Sequence, residues 1–188
     1  MLTHLPGTTL PLPSEYSPNL FSALEPVFAL SPSGLMLSQI TELTGLGAST
    51  IQNWVKRGWV SNPINKRYGE LHVARILLIN LLRPAMQLEN IAILLQRING
   101  SVDDRSDDII PDTELYNILS SLLMRLEHQD SLRPEAIQSL IADELKDYSE
   151  PVKGAKERLQ QAMTVMSLNI LAARLMSMAD TVFQEMKG

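Results

Sequence analysis

An all-α fold is what this 188-residue sequence predicts, on three observations. Apolar residues recur at helical steps beyond residue 37, as in Leu88, Ile91, Leu95 and Ile98. Leu, Ile, Ala and nine Met dominate while aromatics make up only 5%, a balance that favours helices over strands. Helix punctuation is frequent: Gly45, Gly58 and Asn99-Gly100 read as stops, and Pro134 and Pro151 as first-turn residues.

The elements follow in chain order. Residues 1–33 hold six of the eleven prolines and almost no charge. They read as a Pro-rich N-terminal arm, either loose or docked on an apolar groove, with helix-forming capacity only at 20–25. Residues 34–100 form a second unit. A helix over 38–44 is broken by Gly45-Leu46-Gly47 and followed by another over 48–57, which Gly58 ends. Trp59-Val60 and Arg67-Tyr68 flank 61–66, where Asn62-Pro63 and Asn65 are turn formers, so a short hairpin or loop is expected. A helix over 70–82 stops ahead of Pro84, and one over 88–98 closes the unit. Residues 101–112 read as an acidic loop. Helices over 113–127, 134–147 and 151–186 follow, with Asp112 and Ser149 as expected N-caps, and make 101–188 an acidic all-helical C-terminal region.

Composition narrows the function classes. With no Cys, the chain has no disulfide, zinc-thiolate, iron–sulfur or thiol-redox chemistry. The opening residues lack a basic stretch followed by an apolar run, so a cytoplasmic protein without a secretory leader is expected. The net charge of −5 is unevenly placed. Residues 34–100 carry seven Lys/Arg against three acids, whereas 101–188 carry nine against sixteen. The basic block is also the block with the two short helices. That coincidence points to nucleic acid.

A helix-turn-helix needs apolar inner faces on both helices and a tight turn between them, leaving the second helix bare on its outer side. Ile40, Leu43 and Leu46 fit the first inner face and the turn. Ile51, Trp54 and Val55 fit the second, at i, i+3 and i+4. A glycine stands on each side of Leu46, where a sharp turn is expected. The outward set is then Ser49, Thr50, Gln52, Asn53, Lys56 and Arg57. Asn and Gln can pair bidentately with adenine, and Arg or Lys can meet guanine or phosphate. Lys66 and Arg67 add cations close by, with Asn65 and Tyr68 beside them. The same pattern also suits a generic helical hairpin with a solvated face.

On these residues, 34–100 resembles the DNA-binding domain of MerR-type regulators. The stretch "LSQITELTGLGASTIQNWVKRGWV" reproduces that family's helix-turn-helix, and "RYGELHVARILLINLLRPAMQLENIAILL" its wing exit and helix pair. The family usually carries an Arg-aromatic pair where this chain has Gln52-Asn53, and usually a longer wing. Including the "DDRSDDII" loop, the whole chain resembles the bacterial YkrK-like family of unknown function. The resemblance implies a MerR-like winged helix-turn-helix domain followed by a helical dimerisation and effector region. It implies double-stranded DNA as partner, a homodimer through the C-terminal helices and an unidentified small-molecule effector.

Residues 162–179 suit that role, being apolar nearly all round with one charge, Arg174. Such a helix is buried or in a membrane. Thr164, Ser167, Asn169, Arg174 and Ser177 are costly in lipid, so a core helix or dimer interface is expected. Met163, Met166, Met176 and Met178 are either plain core or the lining of an adaptable pocket.

The acidic loop lacks the oxygen ligand and the glycine that an EF-hand needs, Arg105 and Asp108 standing there instead. His4, His72 and His128 form no metal motif, and no nucleophile motif or nucleotide loop occurs. No enzyme, metal or cofactor is expected. Two other readings of the same residues are a protein-docking module on a helix-turn-helix core, and an architectural DNA binder of the excisionase sort.

Overall fold

The computed structural model describes residues 3–13, 19–127 and 133–187. It is all-helical: among the described residues β-pairing is limited to isolated bridges. A short 3-10 helix, Leu20–Leu24, leads into α1 (Glu25–Leu30). Then come α2 (Leu37–Thr44), α3 (Ala48–Lys56), α4 (Glu70–Leu82) and α5 (Leu88–Asn99). After the acidic loop lie α6 (Asp112–Glu127), α7 (Pro134–Glu144) and the long α8 (Ala155–Glu185).

α4 is the hub. Its run from Val73 to Ile79 is buried on every side, as the near-continuous apolar sequence requires. It packs on α6 and α8 as well as on α2 and α5. Its first turn is held by His72, whose Nδ1 accepts from the Gly69 N–H at 3.1 Å. The other ring nitrogen lies 3.1 Å from the Asn62 carbonyl, tying the helix start to the preceding loop.

The N-terminal arm is docked. Residues 3–12 turn back on themselves through a His4–Pro11 bridge, and Leu5 is fully buried. The Thr9 N–H and hydroxyl donate to the carbonyls of Leu43 and Glu42, both at 2.8 Å. Asn80 on α4 donates to the Gly7 and Thr44 carbonyls, and the Tyr116 hydroxyl of α6 donates to Pro6 O at 2.7 Å. Gly7 has φ +73°, and a Cβ there would lie 2.7 Å from the Leu77 carbonyl oxygen, so only glycine fits. The arm therefore joins the α2 end to the α4–α6 body. Residues of the arm, of 34–100 and of 101–188 all enter a single hydrophobic cluster.

Several boundaries shift from the sequence reading. The helix expected over 20–25 is the 3-10 turn Leu20–Leu24, and α1 follows directly with Pro26 in its first turn, where a backbone N–H has no partner within the helix. Pro151 and Ser149 lie ahead of α8, whose N-cap is Gly154. Asp112 is the first residue of α6, and its carboxylate turns inward to a buried ion pair.

α8 changes character along its length. Leu159, Met163, Met166, Ile170 and Leu171 are buried against the other helices. Leu168, Leu175, Met176, Met178, Val182, Phe183 and Met186 are exposed. By length and composition this helix could cross a membrane, yet its first half is committed to the bundle. Beyond Leu171 no residue of α8 is buried, so this end of the helix stands out from the bundle with its apolar side chains in solvent. The four methionines expected together thus fall in two environments: Met163 and Met166 in the core, Met176 and Met178 in solvent.

Candidate nucleic-acid interface

α2 and α3 form the pair that the pattern requires. Ile40, Leu43, Leu46, Ile51 and Trp54 are all buried, while Val55 is half-buried. Gln39 closes the start of α2 by accepting from the Met36 N–H at 2.8 Å. At its end Gly45 takes φ +69°, and the Thr44 hydroxyl donates to the Ile40 carbonyl and accepts from the Leu46 N–H. Gly47 does not turn sharply: its φ of −69° is open to any residue. One glycine makes the turn.

With Ile51 and Trp54 anchored inward, Ser49, Gln52, Asn53, Lys56 and Arg57 are exposed and Thr50 is half-exposed. They form one polar face on α3. Arg57 is engaged at its end, donating to Glu89 at 3.0 Å and lying over the Trp59 ring at 4.9 Å. An exposed pair of this kind is worth about 0.2–1 kcal/mol, so Arg57 can exchange Glu89 for a phosphate at little cost.

The loop after α3 closes in a two-residue hairpin turn. Ile64 and Arg67 exchange both backbone hydrogen bonds, at 3.0 and 2.8 Å, around Asn65 and Lys66. Both central residues have positive φ, 51° and 63°, as a type I′ turn demands. Asn tolerates that conformation, and Lys66 adopts it at a cost. The turn leaves Asn65 and Lys66 exposed at its tip. Arg67 is half-buried, its Nη1 within 3.4 Å of the Gly34 carbonyl.

Tyr68 departs from the expected set. It is buried, pairs with Leu35 through two backbone hydrogen bonds of 2.9 Å, and stacks edge-on against His72. Burial raises its phenol pKa above the ordinary value. It holds the hairpin base to the body and has almost no surface in solvent. The other nine residues lie on α3 or the hairpin, five on the helix, Arg57 at its end and three at the turn.

Sequence reasoning missed a buried polar network behind this surface. Arg75 on α4 donates from Nε to Asp112 Oδ2 at 2.8 Å, and Asn99 donates to Asp112 Oδ1 at 3.0 Å. The side chains of Arg75 and Asp112 are only 7% and 5% exposed. The signal was a single cation inside the apolar run 73–79, which a helix core admits only with a partner. Asp108 lies close by, and its carboxyl pKa is raised by burial first and by Asp112 second.

The geometry defines an all-α protein whose shared core leaves exposed a polar face on α3 and a hairpin tip that carries Lys66. A family described as a domain of unknown function, DUF1836, matches residues 23–119, just over half of the chain. The chain belongs to that family. It is also 27% identical over 145 residues to the uncharacterized protein YkrK of Bacillus subtilis (strain 168). That match covers 75% of this chain and 61% of the relative, so the chain spans less than two thirds of the length of this curated relative. No solved structure matches.

Proposed function

We propose that this chain is a sequence-specific regulator of MerR-like type that binds double-stranded DNA as a homodimer in the cytoplasm. The observation that carries the reading is the division of α3: Ile51 and Trp54 buried, Ser49, Gln52, Asn53 and Lys56 in solvent. Such a helix is pinned by its inner face and free to enter a major groove. Ser49, Thr50, Gln52 and Asn53 read bases in this scheme. Lys56, Arg57, Lys66 and Arg67 anchor phosphates, with Asn65 shaping the wing tip. The exposed face of α8 serves the dimer: Leu168, Leu175 and Val182 recur at seven-residue steps with Met178 between them, a seam that suits a second helix. Two basic modules would then face DNA while two acidic halves face away.

DNA selection with the purified full chain tests this. A two-fold motif with a fixed half-site spacing is expected, with affinity falling steeply as salt rises. Lys66→Ala with Arg67→Ala should weaken all sequences alike, whereas Gln52→Ala with Asn53→Ala should blur the motif. Retention of a protein partner with no DNA held at low salt would replace this reading with that of a docking module. Bending without a two-fold motif would point to an architectural binder.

A further inference from the structure

We propose that the chamber between α1, the hairpin and the acidic loop is a binding site for a small organic amine, held as its ammonium cation with an apolar body. The chamber has a volume of about 800 Å³. Small-molecule sites run to roughly 300–1,000 Å³ and are mostly apolar with a few polar groups. Four stretches wall this one: α1 with the turn after it, the first arm of the hairpin, the start of α4 and the acidic loop at 102–105. Phe28, Leu71 and Val102 give it an apolar lining, and Phe28 is fixed there by stacking on Phe21. Ile64 lines it too and is 71% exposed, an apolar surface that an occupant would cover.

The charge around this lining is negative. Glu25, Glu70 and Asp103 come to it from three different elements, and none of them is ion-paired among the described residues. Arg105 is the one cation in the wall, and Asp108 on the same loop draws on its charge as well. His72 brings no charge, because its Nδ1 accepts the Gly69 N–H. Three carboxylates against one guanidinium leave a surplus of two negative charges.

That surplus selects the ligand. An anion is repelled, and a neutral molecule leaves the carboxylates without a counter-charge. A bare metal ion is no better suited, since no three acids or histidines among the described residues come together to ligate one. An ammonium group answers the carboxylates while its hydrocarbon covers Ile64 and Leu71. The occupant would also touch the hairpin, whose Asn62 carbonyl is already tied to His72 at the start of α4. The site rests on its own lining and holds whether or not the chain binds DNA.

The test is a titration of the full chain with phenethylamine at neutral pH and constant ionic strength, followed by proton–carbon NMR of the isoleucine δ-methyl groups. Ile64 lines the chamber, whereas Ile93, exposed on α5, does not and serves as the internal reference. A saturable shift of the Ile64 signal, with Ile93 unmoved, is expected. Phenethyl alcohol has the same body without the charge and should bind about tenfold more weakly, and hydrocinnamate should not bind. Glu25→Gln with Glu70→Gln removes two exposed carboxylates and should weaken the amine about tenfold while leaving the alcohol as it was. Ala29→Trp fills the chamber from an exposed position, and should abolish the shift with the fold intact. A shift that never saturates, that calcium reproduces, or that persists in Ala29→Trp overturns the proposal. Equal binding of amine and alcohol, or an amine affinity unchanged in the double glutamine variant, overturns it as well.

Discussion

Arg75 and Asp112 meet at 2.8 Å in the core, joining α4 to the first residue of α6. Asp112→Ala would strand a buried guanidinium and the Asn99 amide together. Loss of one partner of such a pair costs about 3–5 kcal/mol. Urea denaturation should show that loss for Asp112→Ala. The double change Arg75→Met with Asp112→Leu should recover part of it, since an apolar pair removes the stranded guanidinium and leaves only the Asn99 amide unpaired.

The arm is a second point of leverage. Tyr116→Phe removes the hydroxyl that donates to Pro6 O and leaves the ring's contact with Phe21 in place. A loss of about 1 kcal/mol is expected in thermal unfolding. Limited proteolysis should cut within residues 3–12 faster in this variant. An unchanged cleavage rate would mean that Thr9 and Asn80 hold the arm without it.

Lys66→Gly separates stability from binding. Its φ of +63° is strained for lysine and ordinary for glycine. A net gain of about 0.5 kcal/mol is expected once the greater freedom of glycine in the unfolded chain is counted. On the proposed reading, DNA affinity should fall equally for all sequences, and the salt dependence should lose about one unit of slope. A stabler variant with undiminished DNA affinity would remove Lys66 from the interface.

The acidic loop carries a pH dependence. The Asp108 carboxyl is raised above its ordinary value, chiefly by burial and then by Asp112, so the fold favours its protonated form. Its contribution to stability is present in full below the ordinary carboxylate value and lost as pH rises through the raised one. Asp108→Asn should therefore raise the melting temperature at pH 7, by roughly 1 °C. The difference should vanish below about pH 3.5, where wild type is protonated too.

Much of this fold is legible in the sequence because it rests on local rules. Ile40, Leu43, Leu46, Ile51 and Trp54 announce their burial by spacing alone. The 70–82 helix is bounded as expected, since Pro84 and the turn residues before Gly69 leave it no freedom. What was hidden is held by partners far along the chain. The arm's place depends on Tyr116, 110 residues from Pro6, and on Asn80, 73 from Gly7. Tyr68 looked like a wing residue by position, but its pairing with Leu35 reaches back across both α2 and α3. Gly47 looked like a turn glycine because Gly45 already was one. For the candidate site, residue types on α3 were readable from period, while the Arg75–Asp112–Asn99 network needed α4, α5 and α6 to be brought together.

The seam on α8 has its own test. Leu175→Glu with Val182→Glu should yield a monomer in sedimentation if that face joins two copies, with no loss of helicity, because neither side chain enters the core. A dimer that survives would move the interface elsewhere.

That outward face also gives a chain without thiols an oxidisable surface. Met176, Met178 and Met186 stand in solvent, whereas Met163 and Met166 are sealed in the core. Mild peroxide would reach the first three long before the others, turning flexible apolar side chains into polar sulfoxides. Because they share the apolar side of α8 with Leu175 and Val182, their oxidation would make that side hydrophilic while the bundle beneath it stayed folded. Repair by sulfoxide reductases would return it to its former state.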